Sequence, residues 1–94
     1  MPTIGVLTLE LHIEHSRSLK DKRQVVRSLK DRLRSKFNVA AAEIDHQQSW
    51  QRAVIAVVTV AGDRLRVEQV LQMAERESAN LLGAGLVGAE VDYF

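Results

Sequence analysis

An α+β sandwich of order βαββαβ, with two helices on one face of a four-stranded antiparallel sheet, is what this 94-residue sequence predicts. Three features carry that expectation. Two segments repeat apolar residues at helical spacing, four others alternate or run apolar as strands do, and the two kinds follow one another in that order. Two right-handed βαβ crossovers place both helices on the same side of the sheet. The arrangement is that of a ferredoxin-like sandwich, whose first and third strands lie centrally. Here those two strands are also the most apolar.

"TIGVLTLELHI", from Thr3 to Ile13, opens the chain as a strand. Leu7, Leu9, Leu11 and Ile13 point one way, and Thr8, Glu10 and His12 the other. "EHSRS" is a polar connection ending in Ser18, a good helix N-cap, and Asp21 three residues on completes a variant of the capping box. Leu19, Val26, Leu29, Leu33 and Phe37 then form one apolar helical stripe, which Asn38 stops. "VAAAEID" (Val39 to Asp45) is a short strand weakened by its alanines, and "HQQSW" is a turn. "RAVIAVVTVA" (Arg52 to Ala61) is a β-branched run suited to a central strand. Gly62 breaks it and Asp63 caps a second helix, striped by Val67, Val70, Leu71, Ala74 and Leu81 and stopped by Gly83. "LVGAEVDYF" (Leu86 to Phe94) closes as a strand with Val87, Ala89, Val91 and Tyr93 on one face.

A chain of this size makes one domain, residues 1–94, with a single layered core. The apolar fraction of 46% is that of a globular protein, and there is no cysteine for a disulfide or a thiolate site. No apolar run approaches the roughly 18 residues that span a bilayer, and no leader peptide is recognisable at the start. A cytoplasmic protein with no membrane association is the expectation.

Charge is distributed unevenly. The formal net charge is +1, yet Arg17 to Lys36 holds nine of the 13 Lys and Arg and only two of the 12 acids. The remaining residues carry four cations against ten acids. At 100° per residue from Val26, the cations Lys20, Arg23, Arg27, Lys30 and Arg34 fall between about 40° and 120°, one row beside the apolar stripe and roughly 21 Å long. Acids at i+3 or i+4 that would neutralise such a row are mostly missing. Arg17, Lys20, Lys22 and Arg23 crowd the helix N-terminus, where cations are unfavourable but a phosphate is welcome. Lys22 falls inside the apolar stripe, and its ammonium is expected to reach water past the core edge. Arg17, Ser18, Lys20, Lys22, Arg23, Arg27, Lys30 and Arg34 are therefore the candidate phosphate-binding residues. The competing view is a solvated or internally paired helix surface, since acids elsewhere could serve as partners.

The sheet face away from the helices is expected to carry Glu10, His12, Glu43, Asp45, Glu90 and Asp92. Sheet-binding RNA domains stack bases on aromatics, and the first and third strands have none. RNA is expected on the helix side. The acids and His12 match no metal motif, so no metal and no cofactor are expected. Val6, Val54, Ala56 and Val58 could instead centre a homodimer contact with acids at its rim. His46 beside Asp45 lacks a nucleophile. A small phosphorylated ligand near Ser16 to Lys20 is the enzymatic alternative, but "EHSRSLK" lacks the glycine-rich loop of acylphosphatases, and fold alone confers no activity.

"SRSLKDKRQVVRSLKDRLRSKFNV" followed by "AEIDHQQSWQRAVIAV" resembles the YlxP-like family of small bacterial proteins, a domain of unknown function. The residues carrying the likeness are Ser18, Leu19, Lys20, Lys22 and Arg23, then Glu43 and Asp45 in "AEID", then Trp50. The resemblance implies a ferredoxin-like fold and, through gene neighbours in translation initiation and ribosome maturation, an RNA or ribosome context. It implies no catalytic residue and leaves Glu43, Asp45 and Trp50 without a role. Together these point to a non-enzymatic protein that binds RNA or a ribonucleoprotein through its basic helix. The alternative is an adaptor that docks on an acidic protein and dimerises through its sheet.

Overall fold

A computed structural model describes all residues, 1–94. The order is β1 (Thr3–His12), α1 (Leu19–Lys36), β2 (Ala40–Asp45), β3 (Arg52–Ala61), α2 (Arg64–Leu82), a single 3-10 turn (Gly83–Gly85) and β4 (Leu86–Tyr93). The strands lie in the order β2-β3-β1-β4, and every neighbouring pair is antiparallel. β1 and β3 are central, as their apolar runs require, and the fold is the ferredoxin-like sandwich.

Both predicted caps close their helices. The Ser18 hydroxyl accepts the Asp21 N–H at 3.0 Å, and the Asp63 carboxylate accepts the Arg66 N–H at 2.9 Å. In return Asp21 accepts the N–H of Arg17, one residue before the cap, at 3.0 Å. Gly83, at φ 54°, ends α2 in a backbone conformation that side chains disfavour.

The core lies between the sheet and the helices. Leu7, Leu9, Leu11 and Ile13 of the first strand and its exit meet Ala53, Ile55 and Val57 of β3. Val26, Leu29 and Leu33 of α1 and Val67, Leu71 and Ala74 of α2 cover them. Gly5 of β1 lies directly under α2, and any Cβ there would run into Val67 and Leu71.

The register sets the open face. Ile4, Val6, Thr8 and Glu10 of β1 stand opposite Val60, Val58, Ala56 and Val54 of β3, and on the other side Asp92 and Glu90 stand opposite Val6 and Thr8. Glu43 does not belong to this face. It is paired with Ile55, a core residue, and so points toward the helices; a register shift between Glu43 and Asp45 then turns Asp45 opposite Val54. Alternation read straight through β2 misses that irregularity. Val87 likewise departs from the Ala89–Val91–Tyr93 face: β4 is irregular opposite Glu10 and Leu11, and Val87 is exposed.

Candidate nucleic-acid interface

α1 sorts its cations by direction. On the side toward α2, Arg32 and Lys36 share the Glu77 carboxylate at 3.3 and 3.1 Å. The Lys36 hydrogen bond, with a smaller contribution from Arg32, holds the Glu77 carboxyl below the usual range against the opposing pull of burial.

Lys22 goes inward. Its side chain is fully buried, and the ammonium donates to Glu43 Oε2 at 2.8 Å. Three carbonyls complete its surroundings: His46 at 2.8 Å, Arg52 at 3.2 Å and Gln47 at 3.3 Å. The expectation that this ammonium reaches water, and with it the assignment of Lys22 as a phosphate contact, is corrected here. The β2–β3 turn folds over the helix and presents its carbonyls to the nitrogen. His46 takes a positive φ of 61° there, with its N–H donated to Asp45 Oδ1 at 2.7 Å. Glu43 thus has a role as the half-buried counter-ion of Lys22, and Asp45 as the group that stabilises the turn.

Lys20, Arg23, Arg27, Lys30 and Arg34 form the remaining side of α1. The chain's ion pairs are Lys22–Glu43, Arg32–Glu77, Lys36–Glu77 and Arg64–Glu68, and none involves this row. Four of the five are exposed and Lys30 is half-buried. Arg34 reaches the Ala41 carbonyl at 3.4 Å, which places the row beside the outer edge of β2. Arg17 is also exposed and without a carboxylate partner.

The helix N-terminus is less open than the row. The Ser18 oxygen is committed to its cap, and the Asp21 carboxylate already supplies an anion to the first turn. Ser16 is buried, its hydroxyl donating to the Trp50 carbonyl at 2.6 Å, so it offers nothing to a ligand. Trp50 contributes that carbonyl while its own side chain stays 58% exposed. Ser16 bounds the small-phosphate site of the enzymatic alternative, and its burial removes it from that role; a small polar residue in a loop gives no sequence signal that it will be buried. No three His, Cys, Asp or Glu side chains converge as a metal site. No helix is long and apolar enough to cross a membrane.

Comparison with known proteins agrees with this architecture. Residues 4–91 match the family described as "Protein of unknown function (DUF503)". The chain is 38% identical over 69 residues to "Uncharacterized protein YlxP" of Bacillus subtilis (strain 168), covering 73% of this chain and 75% of that protein. Among solved structures, the de novo designed protein Foldit4 superposes with a TM-score of 0.55 at 13% identity, covering 100% of this chain and 94% of the other. At that identity the likeness concerns the fold alone.

Proposed function

We propose that this chain, which belongs to the DUF503 family of proteins of unknown function, is a non-enzymatic RNA-binding protein. The site is the α1 row of Lys20, Arg23, Arg27, Lys30 and Arg34, with Arg17 at its end. One observation carries the proposal: Lys22, Arg32 and Lys36 of the same helix all have carboxylate partners, whereas the row has none. A protein with ten acids outside this segment could have neutralised the row and does not. Such a ridge contacts phosphates, giving affinity with little dependence on sequence. A ribosomal or ribonucleoprotein surface presents the same chemistry.

Replacing Arg23, Arg27 and Lys30 with Glu tests the proposal by fluorescence anisotropy on a labelled single-stranded RNA. The expected outcome is loss of measurable binding with an unchanged thermal midpoint, since none of the three side chains has a protein partner. Equal affinity in the two proteins would sink it.

A second reading has its own support. The open sheet face exposes Ile4 and Val60 by 44% and 57% beside Val6 and Val58, which suits a protein contact such as a homodimer. In that reading the row docks on an acidic protein. Partners retained on the protein after nuclease treatment would favour it.

A further inference from the structure

A cleft of about 540 Å³ opens at the end of the sheet where β1 enters its loop, between the middle of α1, the end of α2 and the start of β4. Its apolar walls include Val25 and Leu82, and its polar groups include His12, His15, Gln24 and Ser28. We propose that this cleft binds a nucleobase, held between the imidazoles and the apolar walls and read at its edge by Gln24 and Ser28.

Three observations lead there. No Lys or Arg lines the cleft, and Glu14 does, so its occupant is not an anion. A neutral ring with hydrogen-bonding edges fits walls that are mostly apolar with a few polar groups. Second, the side chains of His12, His15, Gln24 and Ser28 make no hydrogen bond to any other group of the chain, so their donors and acceptors are available to a ligand. Histidine rings are stacking surfaces for unstacked bases, and the open sheet, which lacks aromatics on its central strands, provides none.

Third, the wall is built before any ligand arrives. The loop carrying Glu14 and His15 is clamped to the start of β3. The Gln51 amide donates to the carbonyls of Glu14 and Ser16 at 3.0 and 3.2 Å, and the Ile13 N–H donates to the Gln51 carbonyl at 2.7 Å. A preformed wall lowers the ordering cost of binding. The cleft also adjoins the cationic row. Gln24 stands four residues after Lys20 and three before Arg27, so all three are neighbours on the helix surface. A strand whose phosphates follow the row can place a base over this crest. That source of the base rests on the RNA reading above; the base site itself does not.

Titration of the ¹⁵N-labelled protein with adenosine, guanosine, cytidine and uridine, which carry no phosphate, tests the site by NMR. At least one nucleoside is expected to give saturable shifts at the amides of His15, Val25 and Ser28. Ser28→Trp, at an exposed helical position, fills the mouth and is expected to weaken that binding at least tenfold. The Arg23→Glu, Arg27→Glu, Lys30→Glu protein is expected to bind the nucleoside as well as the wild type does. If none of the four shifts these amides, or if Ser28→Trp binds equally well, the proposal is overturned. Failure of the row to bind RNA would leave the nucleoside result standing, so the two readings fail separately.

Discussion

At Lys22 an ammonium with no exposure to water is surrounded by one carboxylate oxygen and three backbone carbonyls. Taking such a charge from water is costly, and removing one partner leaves the other buried without a counter-charge. Lys22→Met is therefore expected to lower stability by roughly 3–5 kcal/mol in a denaturant titration, with RNA affinity per folded molecule unchanged. A loss of RNA binding in a folded Lys22→Met protein would return this residue to the interface. The helical wheel already placed Lys22 within the apolar stripe. Its burial could not be read there, because the carbonyls that receive it come from residues 46 to 52 and meet it only through the turn. Gly5 makes the same point in miniature: nothing local requires glycine, yet Val67 and Leu71 occupy the space of its missing side chain. Gly5→Ala is expected to cost about 1–3 kcal/mol through overpacking, measured as a drop in the unfolding midpoint.

Secondary-structure elements were the most legible level. Ser18 and Asp63 announce their helices because a cap depends on residues a few positions apart, and β1 and β3 declare themselves central by composition. β2 was legible as a strand but not in its facing, since the shift between Glu43 and Asp45 breaks the two-residue rhythm. How α1 and α2 are joined at their exposed side was also hidden: Arg32 and Lys36 find Glu77 across the helix pair. That pairing makes a pH-dependent contribution of known sign. Because Glu77 ionises more readily folded than unfolded, its contribution is complete above the unfolded pKa and is lost as pH falls through the lower, folded one. Glu77→Gln is expected to reduce the thermal midpoint slightly at neutral pH, with the difference from wild type closing on acidification. A gap that widens in acid would contradict the pairing.

Over the whole molecule, opposite signs occupy different surfaces. The helical side carries a cationic ridge, and the open sheet carries Glu10, Glu90 and Asp92 around an apolar centre. Fold class and charge asymmetry were both visible in the sequence, whereas the cleft beside His12 and His15 exists only once four separate segments meet. The central claim is that the ridge on α1 is left for phosphates from outside. Affinity for a single-stranded RNA, measured as salt is raised, tests it most directly. About four phosphate contacts give a slope of log K against log salt near −3, or roughly sixtyfold weaker binding for a fourfold rise in salt. A slope that steep in the wild type, with no measurable binding at any of these salt concentrations after Arg23, Arg27 and Lys30 become Glu, is the expected result; wild-type binding indifferent to salt would contradict it.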